Sequence, residues 1–215
     1  MRRLLARLFG GASGNGTALR ATRWVVVDCE TSGLDPARDR LLAVGAVAVH
    51  GGRIEIGSAF SVLLRQGAPS ERVNILVHGI GAEAQRNGRP AAEALREFSA
   101  FLVGAMPVAF HAPFDAAVLR RAMAAPGLQV PRRWLDAAQL APALFPKAGP
   151  ATGARRALDD WLAHFGIAHP ARHDALADAY ATAQLLLILL AEAERQGAGT
   201  VEKLRRLERS GRWIS

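Results

Sequence analysis

The stretch Trp24-Val25-Val26-Val27 runs directly into Asp28-Cys29-Glu30, and this junction constrains the fold more than any other part of the sequence. Four apolar residues, three of them β-branched, read as a strand that belongs in a core. Successive side chains on a strand point to opposite sides. Asp28 and Glu30 therefore face one way, and Cys29 faces the other as a small core residue. Ending a buried strand with two like charges is costly unless something positive compensates them. A divalent cation is the simplest compensation, although an isolated Asp-x-Glu also fits a solvated strand end.

The surrounding pattern says what kind of domain holds this strand. Residues 41–49 and 53–64 read as two further strands, with Gly51-Gly52 as the hairpin turn between them. Residues 91–103 have helical spacing through Leu95, Phe98 and Leu102, residues 108–110 form a short apolar strand, and residues 113–123 read as a helix with Pro113 in its first turn. Residues 158–165 and 173–195 continue the helical signal, and residues 201–207 offer a short basic helix near the end. Three leading strands followed by alternating helices and strands indicate an α/β layered domain with a mixed sheet. At 215 residues the chain suits one domain with short appendages. These are residues 1–22, a basic arm with the Gly-rich linker 10–17, and residues 196–215, a short basic tail, around a body at 23–195.

Charge and cysteine content narrow the function classes. The net charge is +8, but five arginines and no acid in residues 1–23 supply +5, leaving +3 for the other 192 residues. Charge alone therefore does not establish a nucleic-acid surface. A single cysteine excludes an internal disulfide framework and any multi-Cys zinc module, and fits a reducing compartment, so a cytoplasmic location is expected. Arg7 interrupts the only apolar run near the start, which argues against an export signal. The longest apolar run, residues 185–191, falls far short of the roughly 20 residues that span a bilayer, so no membrane partner is expected.

Two more carboxylate motifs follow. In Phe110-His111-Ala112-Pro113-Phe114-Asp115 a strand turns into a helix whose first turn carries Asp115, a position the helix dipole favours whatever the function. In His173-Asp174-Ala175-Leu176-Ala177-Asp178, Asp174 suits a helix N-cap. Positions five apart on a helix differ by about 140°. His173 and Asp178 thus reach one site only if His173 stands on the loop before the helix and leans over it.

Taken in order, Asp-x-Glu ending a first strand, Phe-Asp opening a helix and His-x4-Asp opening the last long helix resemble the DnaQ-like (DEDDh) family of 3′→5′ exonucleases. The resemblance runs from about Trp24 to Ala191 and includes Val77-His78-Gly79-Ile80, similar to the family's His-Gly-Ile segment. It implies a ribonuclease-H-like fold, a mixed five-stranded sheet flanked by helices. It also implies that Asp28, Glu30, Asp115 and Asp178 hold two divalent cations, Mg²⁺ or Mn²⁺, with His173 as the general base. Thr31, Gly33, Leu34, His78, His111 and Phe114 would contact the terminal nucleotide of a single-stranded 3′ end, with DNA favoured over RNA. A DNA polymerase or repair protein is the implied partner. Two positions depart from the family pattern: His111 stands where Asn is common, and Gly81 where Thr is common. Two other readings stay open. One is an idle exonuclease-fold module that docks to a polymerase or another partner. The other takes His173-Asp174 as an HD-type phosphohydrolase pair, for which His164 and His169 are available but poorly placed by spacing.

Overall fold

The computed structural model describes residues 16–148, 156–169 and 172–211. Residues 1–15, which hold the first part of the basic arm and most of its Gly-rich linker, lie outside the described residues. The apolar start of β1 (Trp24–Thr31) is buried along its length and takes the centre of a five-stranded sheet of order β3-β2-β1-β4-β5. It pairs antiparallel with β2 (Leu41–His50), which pairs antiparallel with β3 (Arg53–Leu63). On its other side β1 pairs parallel with β4 (Met106–Ala109), and β4 pairs parallel with β5 (Leu135–Asp136). The Gly51-Gly52 turn joins the opposed pair His50 and Arg53, and both glycines have positive φ, 60° and 76°, as a two-residue hairpin turn requires.

The alternation along β1 separates two cores. Trp24 and Val26 point to a cluster built with α5 (Ala137–Leu144), α6 (Leu158–His164), α7 (Ala175–Arg195) and α8 (Val201–Gly211). Val25, Val27 and Cys29 point to the other face, which α3 (Ala91–Phe101) and α4 (Ala112–Ala124) cover. The expected fold class, a mixed five-stranded sheet flanked by helices, is the one observed. α7 is as long and apolar as a bilayer-spanning helix, with a mean hydropathy of 1.4 in its best window. Here it lies against β1 and β2, and Leu185, Leu186 and Leu189 are buried in the core.

Three helices give no periodic signal in the sequence: α1 (Arg72–His78), α2 (Ala82–Asn87), which starts directly after Gly81, and α5. Each is six to eight residues long, too short to be stable without tertiary support. α5 carries Pro142 inside it and is held by the Asp136 carboxylate, which accepts from the backbone N–H groups of Ala138 and Gln139. α8 runs four residues further than its apolar pattern predicts. It packs on α5, and Glu208 Oε1 accepts from the backbone N–H of Asp136 at 3.2 Å on the open edge of β5.

Candidate active site

All the expected carboxylates gather where the chain leaves the C-terminal ends of β1 and β4. Asp28 and Glu30 project from the α7 face of β1, and a bulge between Glu30 and Thr31 ends the regular pairing beside them. α4 starts three residues after β4 ends, with Pro113 in its first turn and Asp115 buried just behind it. Both the backbone N–H and the thiol of Cys29 hydrogen-bond to the Asp115 carboxylate. Cys29, a core residue from the sequence, is thus also a support for Asp115.

α7 delivers the remaining groups. Asp174 caps it by accepting from the Ala177 N–H at 2.9 Å, so the regular helix begins at Ala175. His173 precedes the cap in a left-handed conformation, φ 61°, and its backbone N–H donates to Asp178 Oδ2 at 2.9 Å. The backbone turn that the His-x4-Asp spacing requires is therefore present. Ligand atoms of Glu30, His173 and Asp178 all lie within 4.8 Å of one another.

Gly45 makes this approach possible. It is the β2 partner of Asp28, and a Cβ there would stand 2.2 Å from the carbonyl carbon and oxygen of Ala175. No side chain fits between β2 and the first turn of α7. The sequence shows Gly45 only as a glycine within a strand, a signal of close backbone approach that names no neighbour.

The electrostatics match the crowding. Burial pushes the Asp28 carboxyl well above the usual range, and Asp115, Asp178 and Glu30 add repulsion. Glu30 is raised to about 8 and Asp115 to about 7, in each case chiefly by burial. Asp178 is raised by burial and pulled back by His169, Arg172 and His173. Sequence reasoning missed two of these neighbours. Arg172 Nη1 stands 3.4 Å from Asp178 Oδ1 while its Nε pairs with Asp159 at 3.0 Å. His169, poorly placed by spacing, brings Nε2 to 3.0 Å from Asp178 Oδ1 with both side chains only 7% exposed. Only the fold of the loop before α7 puts either residue there. Four carboxyls that all resist ionisation, offset among the described residues by the guanidinium of Arg172, form an all-oxygen donor set suited to hard divalent cations.

The expected nucleotide contacts are more dispersed. Thr31 Oγ1 donates to the carbonyl of Gly33 at 2.6 Å, Gly33 packs against the Asp39 carboxylate, and Leu34 is 90% exposed at the rim. His111 is exposed at the start of α4, its ring edge-on to Phe110, and Phe114 is half-buried against the α4 core. His78 is buried: its Nδ1 accepts from the Ile80 N–H at 3.0 Å and its Nε2 lies 3.4 Å from Ser70 Oγ. Burial lowers its pKa, and His173 nearby lowers it further. Gly81, the other departure from the expected pattern, precedes α2 without a side-chain cap.

A ribonuclease-H-like sheet with acids gathered at the ends of its central strands defines a class of nucleases, and comparison with known proteins gives the family. Residues 25–186 match the model of the exonuclease family RNase_T. The chain belongs to this DnaQ-like exonuclease family. It is 38% identical over 188 residues to a DNA polymerase III subunit epsilon-like protein of Rhodobacter capsulatus, covering 86% of this chain and 26% of that relative. It is 31% identical over 189 residues to the PolC-type DNA polymerase III of Thermotoga maritima, covering 86% of this chain and 13% of that one. The chain thus spans about a quarter or less of these relatives. Among solved structures, E. coli exonuclease I in complex with a dT13 oligonucleotide superposes with a TM-score of 0.68 at 20% identity, over 81% of this chain and 42% of that one. Cell-death related nuclease 4 gives 0.68 at 13%, over 80% and 64%.

Proposed function

We propose that this domain removes nucleotides one at a time from the 3′ end of single-stranded nucleic acid, DNA in preference to RNA, releasing nucleoside 5′-monophosphates in the cytoplasm. The observation that carries this reading is the meeting of Glu30, Asp178 and His173 beside half-buried Asp28 and buried Asp115. Asp28, Glu30, Asp115 and Asp178 would hold two Mg²⁺ or Mn²⁺ ions. When bound, such ions supply Lewis-acid activation of the attacking water and neutralise charge on the leaving oxygen. His173, on the loop over the carboxylates, takes the proton from that water as its oxygen bonds to phosphorus. The bond from phosphorus to the 3′ oxygen of the penultimate nucleotide breaks, and that oxygen takes a proton from solvent to become the new 3′ hydroxyl. Thr31, Gly33 and Leu34 border the terminal nucleotide, and Phe114 offers an apolar edge to its sugar or base. The polymerase names of the relatives support association with a replicative polymerase, and an idle docking module would share that partner without the turnover.

Matched 3′- and 5′-labelled DNA and RNA oligonucleotides, incubated with Mg²⁺, Mn²⁺ or EDTA, test the reading. Stepwise shortening from the 3′ end should stop in EDTA and fall about 10²–10⁴-fold in His173→Ala. Shortening from the 5′ end, or no turnover of any strand, would overturn it.

A further inference from the structure

Several surface arginines are neutralised locally: Arg20 by Glu194, Arg89 by Glu93 and Glu97, and Arg195 by Glu192. The arginines around α8 are arranged differently. Arg120, Arg132, Arg133, Arg205, Arg206 and Arg209 make no ion pair among the described residues. The Nε of Arg205 is shielded from water and has no hydrogen-bond partner among them. Instead of pointing separately into solvent, these side chains line two adjoining clefts that share Arg205 and Arg209.

The clefts have a direction. The first, about 410 Å³, is lined by Pro113 and Ala116, which flank Phe114-Asp115 in the first turn of α4, and carries Arg120 and Arg132 on its wall. The second, about 700 Å³, continues past Arg133 and Arg206 to Arg23 and Met106, which stand at the start of β1 and β4. The groove thus runs from the first turn of α4, the turn that carries Asp115, along the β5 edge beside α8, to the opposite end of the sheet. α8 is fixed in place as the groove's wall by the bond from Asp136 N–H to Glu208 and by the buried side chains of Val201 and Leu204. On it, Arg205 and Arg209 are one turn apart and share a face. Three acids, Asp136, Glu202 and Glu208, lie among these residues, and Glu208 is already engaged by the backbone of β5.

We infer that this groove carries the substrate strand on the 5′ side of the reacting end, with its phosphates against the arginines. The inference rests on the exonuclease reading above and extends it from the reacting nucleotide to the strand behind it. Guanidinium groups hold phosphate through paired N–H donors at little cost in geometry. Contacts of this kind give affinity without reading sequence, as a nuclease that shortens any strand requires. The groove passes several nucleotides of strand, within the range usual for single-strand sites.

The test uses the full chain with Arg132→Gln, Arg206→Gln and Arg209→Gln combined, all three being exposed side chains outside the carboxylate site. Binding of fluorescein-labelled dT20 is followed by anisotropy in EDTA, where no cleavage occurs. Turnover is followed separately on thymidine 5′-monophosphate p-nitrophenyl ester, which reaches only the reacting site. The variant should bind dT20 at least tenfold more weakly. Its slope of log affinity against log salt should be shallower by about 2, at about 0.7 per lost phosphate contact on a single strand. Hydrolysis of the ester should stay within twofold of the unaltered chain. A control with Arg38→Gln, Arg89→Gln and Arg195→Gln removes the same charge elsewhere and should keep the affinity. Unchanged dT20 binding in the groove variant, or an equal loss in the control, overturns the groove assignment while ester hydrolysis leaves the exonuclease reading standing. Absence of ester hydrolysis and of strand shortening in the unaltered chain is the failure of that reading, recognisable apart from the binding result.

Discussion

The carboxylate site and the arginine groove both hold like charges close together, but the site is buried and the groove faces water. The difference sets what each charge does to the protein. Exposed cations are solvated and screened within about 8–10 Å at ordinary ionic strength, so the groove imposes little strain on the folded state. Buried anions have neither relief, and the carboxyls respond by resisting ionisation: Glu30 is held up to about 8 and Asp115 up to about 7. Until something positive arrives, the site is a source of instability within an otherwise well-packed core. Sites that must bind charge commonly trade stability for function in this way.

The sharpest way to break the comparison is Asp28→Asn. It replaces a carboxyl that folding forces either to take up a proton or to hold a crowded charge with a neutral group of the same shape, so turnover should be lost while the melting temperature in EDTA rises, by about 2–4 °C for each kcal/mol relieved in a domain of this size. A variant that melts lower in EDTA would show that Asp28 stabilises the fold. Gly45→Ala should have the next largest effect. Its added methyl meets the backbone of Ala175 at 2.2 Å, and overpacking of this kind costs about 1–3 kcal/mol. Because the shifted element carries Asp178 and the His173 loop, kcat should fall more than the melting temperature implies. Normal kcat in a destabilised variant would mean that the site tolerates displacement of α7.

A pH series on the metal-free protein comes third. Glu30 rises from an ordinary 4.5 to about 8 in the folded state, so between those values the native protein holds a proton that the unfolded chain releases. Stability in EDTA should therefore fall as pH rises through that window, and Asp115 acts in the same direction between 3.8 and about 7. Saturating Mg²⁺ should flatten or reverse the trend, since its ligands must be deprotonated. A rising stability in EDTA over this range would contradict the crowding. The smallest effect is expected in the groove, where Arg206→Gln should change the melting temperature by no more than about 1–2 °C. A larger loss would mean that α8 is held by its charges as well as by Val201 and Leu204.

The legible parts of the molecule are those in which neighbours in sequence are neighbours in space. The twofold alternation of β1 separates Asp28 and Glu30 from Cys29, and the Asp174 cap announces the start of α7. The unread parts depend on contacts across the chain. α1, α2 and α5 have too little length to declare themselves by periodicity, and exist because the body of the domain holds them. Arg172 and His169 precede α7 outside any periodic element, and only the folded chain brings them beside Asp178.

Charge shows the same division. Composition leaves only +3 outside the first 23 residues and gives no reason to expect an anion-binding surface. The fold nevertheless lines one groove with Arg23, Arg120, Arg132, Arg133, Arg205, Arg206 and Arg209, drawn from four separate stretches of chain. The sequence by itself determined the class of domain, the order of its acidic motifs and the side of β1 on which two acids lie, because strand and helix periodicities are local. The tertiary structure alone decided that four carboxylates crowd together and that scattered arginines line two adjoining clefts, one of them against the first turn of α4. Electrostatic energy depends on distance and on exclusion of water, and neither quantity exists until the sheet order and the Gly45 contact with α7 bring distant residues together.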